Sequence, residues 1–214
     1  GLALGAVDYI VKPIDPELLL AKVHNHVSLK LATDALRTKA NGLEQEVQQR
    51  MADIQHIQEV IMLALASLAG SRHHESSAHI TCTKLLVVEL ARALQKNFPK
   101  YGHLPEEYFR KLLLCAALHD IGMVSVPDSI TLKQGPLDAD EIEEMRRHAR
   151  IGAAALEHAG LAMKGNPGFL DLAREICLHH HERWDGQGYP DGLSGEQIPL
   201  SARLMHIVDV YDAL

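Results

Sequence analysis

The side chains able to do chemistry in this sequence are imidazoles and carboxylates, and their spacing is informative. Glu75 and His79 stand four apart, which on a helix puts both on one face. His119 and Asp120 are adjacent at the end of the apolar run Leu112 to Leu118, where the chain turns. A lone His148 follows, then the run His179, His180 and His181, and finally Asp209 inside an otherwise apolar segment. Taken singly, each has an ordinary explanation: a solvated helix face, a histidine favoured by the dipole at a helix C-terminus, a polar patch, an acid paired with Arg203. The set is harder to dismiss, because imidazoles and carboxylates arrive from separate helical segments and Asp120 can bridge two ions. Nitrogen and oxygen donors without thiolate suit Zn, Fe, Mn, Ni or Co. Paired ions clamp a phosphoryl group and activate water near neutral pH, so the general signal is phosphoester hydrolysis. No GxSxG or Cys-His pairing offers a competing nucleophile.

Helices must position these residues. His79 to Asn97, Glu106 to Leu118, Asp138 to Ala159 and Phe169 to His181 each repeat apolar positions at steps of three and four. The Gly- and Pro-rich stretch Asp185 to Pro199 cannot continue a helix, and Leu200, Leu204, Val208 and Tyr211 restart one. Upstream, Leu31 to Ala69 reads as one long helix. Val47, Ile54, Ile61 and Leu68 form one heptad row; Leu36, Leu43, Ile57 and Ala64 form another, interrupted by Arg50. That is the period of a left-handed coiled coil, and it predicts a homodimer through residues 36–68; the competing reading packs the stripe on the chain's own domain. Before it, Asp8 to Val11 is a short strand candidate, and Asp15-Pro16 supplies a cap and first-turn proline for a helix.

Composition narrows the class. At 47% hydrophobic and 23% charged the chain is an ordinary folded protein, and disorder or a disulfide scaffold would look different. Cys82, Cys115 and Cys177 form no CxxC and read as small buried hydrophobes in a reducing, cytoplasmic setting. The run Val60 to Ala69 is too short to cross a bilayer, and a net charge of -7 counts against binding DNA, so neither membrane nor DNA is expected as a partner. The chain has 14 histidines, more than its Phe, Tyr and Trp together, which is the excess a metal site would use.

Two resemblances follow. Gly5-Ala6-Val7-Asp8-Tyr9-Ile10-Val11-Lys12-Pro13 resembles the last strand of a response-regulator receiver domain, in which the peptide before the proline is commonly cis. It implies that residues 1–30 are the C-terminal remnant of an α/β receiver, whose phosphoacceptor lies upstream, and that a sensor kinase is a partner. His119-Asp120-Ile121-Gly122, together with His180-His181-Glu182-Arg183-Trp184-Asp185-Gly186-Gln187-Gly188-Tyr189-Pro190, resembles the HD-GYP domain, a branch of the HD hydrolases associated with cyclic di-GMP phosphodiesterase activity. The fold expected is therefore mainly α: residues 31–70 as linker and dimerisation helix, and 71–214 as a helical HD bundle shortened at its C-terminus.

Residue by residue, the HD-GYP resemblance implies a first metal site of His79, His119, Asp120 and Asp209. Asp120 would bridge to a second ion held by His148, His180 and His181, with His119 and Asp120 as the catalytic pair. Glu75 matches a position that supports a third ion in some members. Fe or Mn is expected ahead of Zn or Ni. Cyclic di-GMP is implied as substrate, with the linear dinucleotide or GMP as product. The glycines of the Gly-Tyr-Pro loop, Gly188 among them, allow close backbone approach, and Tyr189 offers a ring and a hydroxyl to a guanine nucleotide.

One departure matters. The family motif continues with lysine, thought to steady the substrate phosphate, where this chain has Met123. Losing one charge-assisted donor is expected to cost roughly 10²- to 10³-fold in rate. Lys133 and Arg183 are the candidates to replace it. The alternative to an enzyme is thus a weakened domain that binds nucleotide or partner proteins. Two divalent ions would bring the formal charge from -7 to about -3 and concentrate positive potential in one pocket.

Overall fold

The computed structural model describes residues 7–70, 77–162 and 168–212. Its contacts divide the chain into units 1–56 and 57–214. Helix α1 runs Pro16–Gly70. The Asp15 carboxylate accepts the N–H groups of Glu17 and Leu18 at 2.9 and 3.3 Å, satisfying donors that the first turn leaves open. The helix continues through residue 30, because the stretch from Glu17 to Ala69 has no proline and only one glycine, Gly42.

In the first unit, residues 8–11 are not a strand: a strand needs a partner, and none is present among the described residues. The Lys12-Pro13 peptide is cis. Lys22 Nζ lies 2.8 Å from Asp8 Oδ1 and 3.1 Å from the Tyr9 carbonyl, tying this segment to α1. That hydrogen bond, first among its causes, draws the Asp8 carboxyl down to about 2.

The second unit is the helical bundle. It comprises the end of α1, then α2 Ser77–Asn97, α3 Glu106–Cys115, the short α4 Asp128–Thr131, α5 Ala139–Ala162, α6 Gly168–His179 and α7 Leu200–Asp212. The boundaries expected from periodicity hold to within three residues. The exception is the turn after α3, where 3-10 segments Ala116–Leu118 and Ile121–Ser125 carry the chain around His119 and Asp120. Val87 and Ala91 of α2, Phe109, Leu112 and Cys115 of α3, Ala173 and Ile176 of α6, and Leu204, Met205 and Val208 of α7 form one core. Truncating a buried side chain such as Leu112 to alanine would cost about 2–5 kcal/mol.

Helix α5 starts at a reciprocal cap: Glu141 N–H donates to Asp138 Oδ1 at 2.9 Å, and Asp138 N–H donates back to Glu141 Oε2 at 2.8 Å. The cap fixes the register, so His148, Ala149, Gly152, Ala153 and Leu156 make the buried stripe. Small residues dominate that stripe and let α6 and the Ile121–Ser125 turn approach closely. The coiled-coil rows do not use this core. Leu36, Leu43, Val47, Ile54, Ile57, Ile61 and Leu68 are all more than half exposed in the single chain. Cys115 and Cys177 are buried as expected, but Cys82 is exposed, because its position on α2 turns away from the core.

Candidate metal centre

Three histidines are held in the same way. Nδ1 of His119, His148 and His180 lies 2.9, 2.7 and 3.0 Å from the carbonyl oxygens of Ala116, Met145 and Cys177, three residues earlier in each case. A carbonyl oxygen only accepts, so each Nδ1 carries the proton and each Nε2 presents a lone pair. The helical i−3 spacing performs the orienting role that metal-ligating histidines usually assign to a neighbouring group.

All three Nε2 atoms converge on Asp120. His148 and His180 approach Oδ1 at 3.2 and 3.3 Å, while His119 faces Oδ2 at 3.7 Å. The carboxylate thus turns one oxygen to each of two histidine groups. His181 completes the first group: single ligand atoms of Asp120, His148, His180 and His181 all lie within 4.8 Å of one another. The rings of His119, His148 and His180 are almost wholly buried. Nε2 of His119 and of His180 has no hydrogen-bond partner. Buried acceptors facing a carboxylate repel it unless a cation or proton lies between them, so these residues fit a divalent metal.

The electrostatics agree. Burial by itself would push the Asp120 carboxyl up, but its neighbours, His119 first and then His148 and His180, more than offset it and hold it well below the usual range. Burial, followed by the neighbouring His180, depresses His181 to about 2, so it stays neutral at physiological pH, the state in which an imidazole can bind metal.

The loop after α6 brings the aromatic. Tyr189 lies against His181 with ring centroids 4.6 Å apart and planes at 24°. Burial first, then the charge of Asp120, keeps its phenol protonated, so it is a hydrogen-bond donor. Gly188 beneath it is obligatory, because a Cβ there would sit 2.3 Å from the Arg183 nitrogen and 2.6 Å from the His181 carbonyl oxygen. Glu182, fully buried, anchors the loop: its two oxygens accept the Asp191 and Leu193 N–H groups at 2.7 and 2.9 Å. On α7, His206 Nδ1 lies 2.8 Å from the His180 carbonyl oxygen, bracing that residue from behind.

The expected residues separate accordingly. His119, Asp120, His148, His180 and His181 meet in one place, with Tyr189 and Gly188 beside them. His79, on α2, contacts Asp212 through Nδ1. Asp209 lies part-buried on α7, close enough for its charge to raise the Tyr189 phenol, but is not one of the four clustered residues. Glu75 lies outside the described residues. Lys133 is paired with Glu141, and Arg183 with Asp185 at 2.7 Å. Met123 is 6% exposed and packs with Val126 and Ile130. His179, which the motif leaves out, faces Glu182 and Asp191 at 4.0 and 3.7 Å, beside the loop anchor. The sequence by itself does not single out Glu182 or Gly152. An acid directly after the histidine run and a glycine within a small-residue helical stripe were the available signals.

Fold and site together define a helical domain built around a histidine and aspartate cluster that fits a metal ion. The chain belongs to the HD domain family, whose profile matches residues 44–214, and its two long motifs place it in the HD-GYP branch. It is 43% identical over its whole length to a Vibrio cholerae protein named probable cyclic di-GMP phosphodiesterase, covering 48% of that protein. It is 36% identical, again over its whole length, to the Xanthomonas campestris cyclic di-GMP phosphodiesterase response regulator RpfG, covering 53% of it. Over 81% of the chain it is 35% identical to 3'3'-cGAMP-specific phosphodiesterase 2 of Vibrio cholerae, covering 30% of that protein. The chain thus spans about half or less of the length of these relatives. None of the helices among the described residues is long and apolar enough to cross a membrane.

Proposed function

We propose that this chain is the catalytic region of a metal-dependent cyclic di-GMP phosphodiesterase. The observation that carries the reading is the Asp120 carboxylate, with Oδ1 toward His148 and His180 and Oδ2 toward His119. One ion is assigned to Asp120, His148, His180 and His181; a second to His79, His119, Asp120 and Asp209, with Glu75 supporting a third. Nitrogen and oxygen donors suit Fe, Mn, Zn and Ni alike; Fe or Mn is assigned ahead of Zn or Ni on the HD-GYP resemblance.

Bound divalent ions supply Lewis acidity toward a phosphoryl oxygen and an activated water near neutral pH. The chain's own residues do the rest. The carbonyls of Ala116, Met145 and Cys177 fix the imidazoles in the tautomer that binds metal. Tyr189 offers its hydroxyl at the mouth of the site, and Gly188 lets the loop backbone lie close to His181. The names of the Vibrio and Xanthomonas relatives support the cyclic dinucleotide as substrate and a response regulator as the setting, with residues 1–30 as the end of a receiver domain. The exposed heptad rows of α1 support a homodimer through residues 36–68. Light scattering at micromolar concentration should give twice the monomer mass, and a monomer alone would remove that part.

A second reading, a nucleotide-binding module of weakened activity, is favoured by Met123. The two are separated by incubating purified protein, with Mn(II) or Fe(II), against cyclic di-GMP and cyclic GMP-AMP and separating the products. Linear dinucleotide or GMP supports the enzyme, whereas calorimetric binding without turnover at full metal occupancy supports the module. Fewer than two metals per chain by elemental analysis would remove the paired-ion reading.

A further inference from the structure

A groove of about 320 Å³ opens beside Tyr189, lined by Glu143, Arg146, Arg147 and Arg150 of α5 and by Tyr189 and Pro190 of the loop. Its three arginines are committed to different degrees. Arg147 pairs with Glu144 at 2.7 Å. Arg150 Nη2 donates to Asp191 Oδ1 at 2.7 Å and to the Pro190 carbonyl at 3.1 Å, so it braces the loop. Arg146 has only Glu143, at 3.8 Å, beyond hydrogen-bond length, and its guanidinium lies 5.1 Å from the centroid of the Tyr189 ring. That ring rests on His181, a member of the ligand cluster, and is 6.4 Å from the ring of His148. A cation is therefore held one aromatic ring away from the metal centre, on a rigid helix, with its planar donors available.

We propose that Arg146 binds the second, non-reacting phosphate of a cyclic dinucleotide. The inference rests on the phosphodiesterase reading and adds to it the residue that distinguishes a substrate with two phosphates from one with a single phosphate. A cyclic dinucleotide carries two phosphodiesters on opposite sides of one ring, so placing one at the ions leaves the other displaced from them. Met123 is buried among apolar side chains and supplies no charge there; Lys133 and Arg183 are each held by an acid. Arg146 lies beside the site, and the guanidinium fork matches two phosphoryl oxygens. Its stacking on Tyr189 pre-orients that fork, so less freedom is lost on binding.

The test compares two substrates and one equilibrium measurement on metal-loaded protein. Arg146→Gln should raise KM for cyclic di-GMP about tenfold or more, with kcat within a few-fold. It should leave turnover of bis(p-nitrophenyl) phosphate, which has one phosphate, unchanged, and should weaken calorimetric binding of cyclic di-GMP by the same factor as KM. Arg146→Lys should recover part of the loss, Glu143→Gln should tighten binding a few-fold, and metal content should not change. Equal loss on both substrates, or lost metal, would assign Arg146 a structural part and overturn the proposal. Unchanged cyclic di-GMP affinity in Arg146→Gln would overturn it while leaving the phosphodiesterase reading intact. Failure of the wild type to bind cyclic di-GMP would overturn both.

Discussion

The backbones of Gly122 and Gly152 meet without room for a side chain on either. A Cβ on Gly122 would lie 2.8 Å from the Gly152 nitrogen and 2.0 Å from the His148 carbonyl oxygen, and a Cβ on Gly152 would lie 2.9 Å from the Gly122 nitrogen. Gly122 is two residues from Asp120 and Gly152 one helical turn from His148, so this contact sets the spacing between carboxylate and imidazole. The sites of contact are backbone atoms, which cannot move aside as a flexible side chain would.

Gly122→Ala should therefore separate the Asp120 turn from α5. We expect a loss of about 1–3 kcal/mol of stability or more, with reduced metal content per chain, read by thermal unfolding and elemental analysis. Full metal content and unchanged stability would show that the approach is not required. Gly42→Ala is the comparison, since nothing lies within 4 Å of its Cβ position.

Glu182 holds the Tyr189 loop from inside. Glu182→Gln keeps the size but sets an amide donor against one of the two N–H groups, leaving a buried donor unmet at a cost of about 1–3 kcal/mol. Metal content should persist while cyclic di-GMP turnover falls tenfold or more, and protease should cut within residues 183–198 faster than in the wild type. Wild-type turnover in this variant would show that the loop is held by other contacts.

Met123→Lys does not simply restore a missing cation. The position packs with Val126 and Ile130, with Met145 and Leu137 against them, so an ammonium there must leave an apolar cluster or be buried in it. We expect a stability loss of about 1–3 kcal/mol and less than a tenfold gain in turnover. A larger gain without loss of stability would mean that the lysine reaches the substrate from this position.

Thiol reactivity should divide by burial. Burial, ahead of the charge of Asp120, pushes the Cys177 thiol up to about 12, and burial likewise raises Cys115. A raised thiol pKa means less thiolate: at pH 9, only about one Cys177 in a thousand would be ionised. Folded protein should thus give one fast-reacting thiol, Cys82, with a disulfide reagent between pH 7 and 9, and three after denaturation. A second fast thiol within that range would contradict the packing of α3 and α6.

The helices of the second unit other than the short α4, the long α1 and the identities of most ligand-type residues were legible because each is a local property. Steps of three and four bury one helix face, and Asp15 caps the turn that follows it. The motif around His119 and the one from His180 to Pro190 also lie in continuous sequence, so their chemistry could be read in order. The tertiary structure decided what depends on residues far apart in the chain. It assigned Asp120 one oxygen to His119 and the other to His148 and His180, put Glu182 under the loop and Arg146 beside Tyr189, and committed Lys133 and Arg183 to acids. It also turned Cys82 outward. Periodicity says which face of a helix is buried; only the packing of one helix on another says which atoms meet, and the cluster around Asp120 is made of such meetings.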